Sequence, residues 1–124
     1  MSKSIIIIDD ASAIRMAVKT ALGLEGYNVE EAVDGAEALN KLNSSSFDLI
    51  ICDINMPNVN GLEFLDKLKN DDKYSSHKFT PVIMLTTEVN EDMKADGMKL
   101  GAKAWINKPF KPDVLMCAVE KLLI

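Results

Sequence analysis

Five short apolar runs alternate with helical patterns along the chain, and this alternation constrains the fold more than any other feature. The first run, at residues 5–8, consists of four consecutive isoleucines. An unbroken β-branched run of this kind suits a parallel strand covered on both faces better than a strand with one face in water. The other predicted strands are residues 27–32, 47–52, 81–85 and 104–107.

The segments between these runs carry apolar residues at the spacing of a helix. The first predicted helix begins at Ser12, a candidate N-cap, and ends at Gly26. The other predicted helices are residues 36–42, 62–68, 91–100 and 112–123. Residues 71–78 are polar and predict a loop, and His77 within them is expected at the surface.

Strand–helix units in this alternation predict an α/β fold with a parallel sheet. Right-handed crossovers place helices on both faces of such a sheet, which makes it doubly wound. We expect a single domain over residues 1–124, with no second domain for an output function.

The composition excludes several classes of protein. A hydrophobic content of 48% and a net charge of -5 are outside the range of disordered chains. No apolar run approaches the ~20 residues of a membrane span, so we expect a monomeric cytoplasmic protein with no membrane contact. The pI of about 4.8 argues against nucleic-acid binding, which needs clustered basic residues. Cys52 and Cys117 lack metal or disulfide spacing and are expected to be small buried residues.

Polar residues follow each of the strong strands at the point where it ends. The carboxyl ends of parallel strands meet at one edge of the sheet, where such folds bind ligands. We therefore expect carboxylates, a hydroxyl and an ammonium to converge in one crevice. The residues concerned are Asp9 and Asp10, Asp53, Thr86 and Thr87, and Lys108.

These groups suit the binding of a phosphoryl group together with Mg²⁺. Three carboxylates in one crevice repel each other, and a hard divalent cation relieves the repulsion. Lys108 could hold a phosphoryl oxygen, and Thr86 is a small donor. Asp53 stands alone and is the better nucleophile, whereas Asp9 and Asp10 suit metal binding. Taken singly, each residue could instead be a turn former, a helix cap or a surface residue.

Taken in order, four motifs resemble the receiver domain of bacterial two-component response regulators, and more narrowly its stand-alone CheY-like chemotaxis members. They lie at residues 6–10, 53–61, 84–88 and 105–110, so the resemblance covers the whole chain. It implies a flavodoxin-like sheet of five strands in the order 2-1-3-4-5, with five helices.

The resemblance also implies a chemical role for each matching residue. Asp53 would accept a phosphoryl group from the phosphohistidine of a histidine kinase of the CheA type. Mg²⁺ would be held by Asp10, Asp53 and the Asn55 backbone carbonyl, with Asp9 assisting. The chain would be a signalling switch that catalyses only its own phosphorylation and dephosphorylation, and not an enzyme in the ordinary sense.

Other positions would carry the response to phosphorylation. Lys108 would contact the phosphoryl group, and its bond to Pro109 is expected to be cis. Thr86 would move toward a phosphoryl oxygen, which would let Trp105 rotate inward. Asn55 and Glu88 would border the path of the attacking water and tune the lifetime of the phosphoryl group.

The same resemblance suggests a partner. Lys94 and Met98, off the core face of the fourth helix, would join Trp105 in a surface for a flagellar motor switch protein. Ordinary surface is the competing interpretation for Met98. A phosphorelay intermediate and a phosphate sink are alternative roles for the chain.

Two further functions belong to other classes of protein. A Mg²⁺-dependent phosphohydrolase of the haloacid dehalogenase type carries its nucleophile after the first strand and a cap over the site, and no insertion here could form a cap. A flavin carrier needs a phosphate-cradling loop there, whereas residues 9–15 present two carboxylates.

Overall fold

The computed structural model, which describes residues 2–124, contains one parallel sheet of five strands. The strand order is β2-β1-β3-β4-β5, as the family resemblance implies. The strands are β1 (Ser4–Ile8), β2 (Asn28–Ala32), β3 (Leu49–Cys52), β4 (Val82–Thr86) and β5 (Ala104–Asn107). The α-helices are α1 (Ser12–Gly23), α2 (Gly35–Leu42), α3 (Gly61–Asn70), α4 (Glu91–Lys99) and α5 (Pro112–Leu122). None of the described helices has the length and apolar character of a membrane span.

The run of isoleucines in β1 divides its side chains between two hydrophobic cores. Ile6 and Ile8 belong to the core that contains residues of α2 and α3. Ile5 and Ile7 belong to the opposite core, built with residues of α1 and α5. Successive side chains of a strand point to opposite faces, so a central strand covered on both faces needs an apolar residue at every position.

Residues 71–78 are not the predicted loop, because they contain a 3₁₀ helix at Asp72–His77. Tyr74 and His77 are buried, so the surface position expected for His77 is wrong. The segment is kinked at Tyr74, whose φ of -110° and ψ of 21° are not helical. The Nε2 of His77 lies 2.9 Å from the carbonyl oxygen of Leu42, which ends α2, and the imidazole therefore donates to a helix C-terminus.

Two smaller expectations also fail. Cys117 is exposed on α5, whereas Cys52 is buried as expected. Ser12 is already the first residue of α1, and the N-cap position is Ala11, which makes no side-chain cap bond. The first helix therefore begins without the hydroxyl cap that the sequence suggested.

Asp34 joins the start of α2 to the loop between β3 and α3. Its Oδ1 accepts from the Glu37 backbone N–H at 2.8 Å, and its Oδ2 accepts from Asn58 Nδ2 at 2.7 Å. Asn58 has a φ of 66°, a left-handed conformation that Asn tolerates better than most residues. The Glu37 N–H and then the Asn58 amide lower the pKa of Asp34.

The Asp34→Asn variant is expected to be less stable than wild type at pH 7, by about 1 kcal/mol in free energy of unfolding. The two donors reach different oxygens of the carboxylate, and an amide has an NH₂ group, which cannot accept, in place of one of them. Because folding lowers the pKa of Asp34, the carboxylate stabilises the fold above the unfolded pKa. This contribution is lost as the pH falls below about 4. Urea unfolding of both proteins from pH 7 to pH 3 measures the difference.

Asp96→Asn is the control, because Asp96 lies exposed on α4 and makes no side-chain hydrogen bond within residues 2–124. The control should follow wild type at every pH. A stability difference for Asp34→Asn that does not change with pH would contradict the assigned role.

Candidate functional site

Strand register brings three carboxylates together at the carboxyl edge of the sheet. Ile8 of β1 pairs with Cys52 of β3, so Asp9 and Asp53 leave the sheet side by side. Carboxylate oxygens of Asp9, Asp10 and Asp53 lie within 4.8 Å of one another. Asp9 and Asp53 are buried, whereas Asp10 is exposed. The structure thus gathers the acidic residues that the strand ends predict.

Lys108 completes this cluster from the end of β5. Its Nζ donates to Asp9 Oδ2 at 2.6 Å and to Asp53 Oδ2 at 2.9 Å. Its backbone N–H donates to the Thr86 carbonyl oxygen at 2.9 Å, which ties the residue to the end of β4. The Lys108–Pro109 peptide bond is cis, as the family resemblance implies.

Burial and the neighbouring charges shift the pKa values of Asp9 and Lys108 in opposite directions. Burial raises the pKa of Asp9, and the hydrogen bonds from Lys108 and the Ala11 N–H offset only part of this rise. Burial alone would lower the pKa of Lys108, but its bonds to Asp9 and Asp53 and their charges raise it overall. One ammonium faces three carboxylates, so the site retains an excess of negative charge that favours a cation.

The backbone around Asp53 fixes its carboxylate. Asp53 Oδ1 accepts from the Ile54 N–H at 2.6 Å. The chain then folds back on itself, and the Gly61 N–H donates to the Ile54 carbonyl oxygen at 2.9 Å. A Cβ at Gly61 would lie 2.1 Å from the Asp53 carbonyl oxygen, so only glycine permits this closure. The side chain of Asn55 is exposed beside it.

Thr86 is the last residue of β4, the strand next to β3, and is fully buried. Its Oγ1 accepts from the Glu88 backbone N–H at 3.1 Å. Glu88 is half-buried, and its carboxylate accepts from the Asn90 N–H at 3.1 Å. Asn107 Nδ2 donates to the Glu88 carbonyl oxygen at 3.0 Å, a contact between β5 and this loop that no sequence motif indicated.

The three residues expected on the partner surface do not have the same exposure. Lys94 and Met98 are exposed on α4. Trp105 is half-buried rather than exposed, and it packs against the core on the side of α2 and α3. A Cβ at Gly97 would lie 3.0 Å from Cζ3 of the indole, so α4 contacts Trp105 through its glycine.

One charged residue near the site escaped prediction. Arg15 Nη1 donates to the Asp9 carbonyl oxygen at 2.7 Å. In the sequence, an arginine among the polar positions of a helix has the pattern of a solvated residue. Its position three residues after Ser12 was the available signal, because that places it about one helical turn into the helix that follows the strand end.

Comparison with known proteins places these features in a family. Residues 5–120 match the response regulator receiver domain. The structure resembles that of Vibrio cholerae chemotaxis protein CheY4, with 40% sequence identity, a TM-score of 0.89 and coverage of 99% of this chain and 100% of that chain. A CheY-like receiver domain protein from Methanospirillum hungatei JF-1 has 34% identity and a TM-score of 0.87, covering 98% of this chain and 94% of that one.

Longer proteins contain similar segments. The sensor protein EvgS of Escherichia coli O157:H7 is 36% identical over 96% of this chain, which spans 10% of that protein. The transcriptional regulatory protein SrrA of Staphylococcus aureus is 34% identical over 99% of this chain, which spans 48% of it. The chain therefore spans about half or less of the length of these curated relatives. The family match and the strand-end cluster agree: this chain belongs to the response regulator receiver domain family.

Proposed function

We propose that the chain is a phosphorylation-dependent switch in which Asp53 accepts a phosphoryl group from the phosphohistidine of a histidine kinase. A receiver domain is a signalling switch rather than a classical enzyme, and the family implies a histidine kinase as partner. The observation that carries the proposal is the cluster of Asp9, Asp10 and Asp53 around Lys108 Nζ, in which Asp53 stands alone at its strand end whereas Asp9 is followed by a second aspartate. Family membership favours this function over the phosphohydrolase and the flavin carrier.

The donor set fits Mg²⁺. The cluster offers only hard oxygen ligands, and its charge exceeds what Lys108 can neutralise. We assign the metal ligands to Asp10, Asp53 and the Asn55 backbone carbonyl, with Asp9 assisting. When bound, the ion neutralises charge on the oxygens of the transferred phosphoryl group.

The protein residues then perform the transfer. A carboxylate oxygen of Asp53 attacks phosphorus, the P–N bond of the phosphohistidine breaks, and the electron pair stays on the imidazole nitrogen. Lys108 has three N–H donors, two of which bond Asp9 and Asp53, so the third can hold a phosphoryl oxygen. The raised pKa of Lys108 keeps this ammonium charged at neutral pH.

The wild-type chain is expected to gain one phosphoryl group from acetyl phosphate and MgCl₂, measured by intact mass. Asp53→Asn should gain none, because an amide is a far weaker nucleophile than a carboxylate. Asp66→Asn, an exposed carboxylate on α3, is the matched control and should be labelled like wild type. Persistence of the label in Asp53→Asn would overturn the assignment.

Asn55 and Glu88 flank the acceptor and Thr86, and we assign to them the tuning of the phosphoryl lifetime. Exposed Asn55 lies two residues beyond Asp53 and half-buried Glu88 two beyond Thr86, so both can border the path of attacking water. The decay of the same mass label in variants exchanged at both positions measures this role. An unchanged decay would remove it.

Thr86 and Trp105 are the proposed switch. Trp105 pairs with Met84 on the neighbouring strand, and Thr86 lies two residues beyond Met84, so their side chains share one face of the sheet. A hydroxyl that accepts one hydrogen bond can still donate its own proton to a phosphoryl oxygen. Movement of the Thr86 hydroxyl toward the phosphoryl oxygen leaves space behind Thr86. Rotation of the Trp105 indole into that space changes its contact with Gly97 of α4.

Trp105 fluorescence is therefore expected to change when wild type binds beryllofluoride and Mg²⁺. Thr86→Ala should lose most of this change but still accept a phosphoryl group by mass, since the hydroxyl transmits the signal and does not receive the group. The neighbouring exposed residue provides the control Thr87→Ala. An unchanged emission in wild type, or a full response in Thr86→Ala, would count against the switch.

For the output we propose chemotaxis signalling in the cytoplasm, through contact of a monomer with a flagellar motor switch protein. The supporting observations are the 40% identity with a chemotaxis protein over its full length and the exposure of Lys94 and Met98 on α4. Roles as a phosphorelay intermediate or a phosphate sink are the alternatives.

Binding to a purified flagellar motor switch protein should strengthen by about fivefold or more with beryllofluoride and Mg²⁺. Met98→Glu should weaken the activated complex, because it places a charge within the apolar contact. Met16→Glu introduces the same charge on α1, where Met16 is exposed, and should have no effect. Transfer of the phosphoryl group to a histidine phosphotransfer protein, without motor binding, would instead establish the relay role.

A further inference from the structure

The side chain of Arg15 runs back from α1 toward the end of β1. It is largely buried, with 14% of its side-chain surface exposed. Nη1 donates to the Asp9 backbone carbonyl at 2.7 Å, and Nε donates to Glu31 Oε1 at 3.0 Å. Since Glu31 belongs to β2, one guanidinium links α1 and β2 to Asp9, the residue that follows β1.

The contact between Arg15 and the Asp9 carbonyl matters because it fixes the peptide group that leads to Asp10. The Asp9 N–H donates to the Ala32 carbonyl oxygen at 3.0 Å, and Asp9 Oδ1 accepts from the Ala11 N–H at 2.9 Å. The Asp9 carbonyl belongs to the peptide group that joins Asp9 to Asp10. A peptide group is planar, so a donor that fixes this carbonyl also fixes the direction in which the chain carries Asp10.

Asp10 has little else to orient it. Its side chain is exposed and makes no hydrogen bond or ion pair within residues 2–124. The side chains of Asp9 and Asp53, by contrast, are each held by a backbone N–H and by Lys108. The orientation of Asp10 therefore depends on its backbone, and Arg15 is the side chain that bonds this backbone.

Glu31 in turn sets the position of Arg15. Its carboxylate accepts from Arg15 Nε and lies 3.5 Å from Lys19 Nζ, and its backbone carbonyl accepts from Lys41 Nζ. The guanidinium is a rigid fork whose donors can meet a carboxylate and a carbonyl in two directions at once, which an ammonium on a flexible stem does less well.

We propose that Arg15, held by Glu31, is a positioning residue for the acidic pocket that sets the affinity for Mg²⁺. This inference rests on the proposed function, because it takes Asp10 as a metal ligand. Arg15 touches neither the ion nor the phosphoryl group, and it acts only through the peptide between Asp9 and Asp10. Loss of an outer-shell contact of this kind weakens metal affinity by about 10- to 100-fold.

The test is a titration of the full chain with MgCl₂, followed by NMR through the backbone amides of Asp10 and Ala11. Arg15→Gln is expected to weaken Mg²⁺ binding by about tenfold. Lys19→Gln is the matched control: it removes one positive charge from the same helix, near the same Glu31, at a residue that does not contact Asp9. The control should bind Mg²⁺ like wild type. An equal loss in both variants, or none in Arg15→Gln, overturns the inference.

A purely structural role for Arg15 predicts a different pattern. It would lower the thermal midpoint of Arg15→Gln and leave the Mg²⁺ affinity unchanged, which also overturns the inference. Glu31→Ala tests the same linkage if Arg15→Gln does not fold, and it should weaken Mg²⁺ binding in the same direction. Arg15→Lys should recover part of the affinity, because its ammonium can still donate to the Asp9 carbonyl.

Failure of the proposed function gives a separate result. If wild type shows no Mg²⁺-dependent shift at Asp10, the metal site itself is wrong, and the inference falls with it. If wild type binds Mg²⁺ and is labelled on Asp53, while Arg15→Gln binds Mg²⁺ equally well, only the inference fails.

Discussion

The ammonium of Lys108 bonds two buried carboxylates at once, and the arrangement of the site depends on this bridge. Removing a carboxylate from water is costly unless a partner of opposite charge and good geometry replaces the water. Asp9 and Asp53 come from adjacent strands, and Lys108 reaches them from the edge strand β5, beyond β4. The three residues are distant in sequence. They meet because a parallel sheet has all its carboxyl ends on one edge.

Within the acidic cluster, burial of Asp9 opposes folding at neutral pH, whereas Lys108 gains from its bonds to the two buried carboxylates. Burial raises the pKa of Asp9, and a carboxyl group whose pKa is raised by folding opposes folding at neutral pH. A stable fold could carry an apolar or amide residue there at lower cost. Residues that break the local rules of stability in this way are typical of functional sites. The stability that offsets this cost comes from the two cores on either side of β1.

Sequence patterns predicted what depends on strand direction and failed where distant segments meet. The isoleucine run and the polar strand ends were sufficient to predict a parallel sheet and the convergence of Asp9, Asp53 and Lys108, whereas the strand order came from the family resemblance. His77 appeared as a surface residue because its partner is the end of α2, 35 residues away. The contact between α4 and Trp105 was equally hidden, because it depends on residue 97 being a glycine with no side chain. Arg15 has the sequence context of a solvated residue, and its place in the first turn of α1 does not by itself show that the side chain turns back to the Asp9 carbonyl.

The acidic cluster is held more firmly on the side of β2 than on the side of α4 and β5. On the side of β2, Arg15 bonds the peptide before Asp10 and Asp34 bonds the loop after Asp53, although neither residue belongs to the acidic cluster. On the opposite side, Gly97 is the only described residue of α4 that is buried, whereas α2 and α3 each bury four residues. The backbone on the β2 side of Asp53 is therefore fixed by side-chain hydrogen bonds, whereas α4, next to Trp105, packs on the core through few residues. Under the proposed function, movement should follow the weaker constraint, and we expect phosphorylation of Asp53 to change the contacts of α4 and β5 more than those of β2.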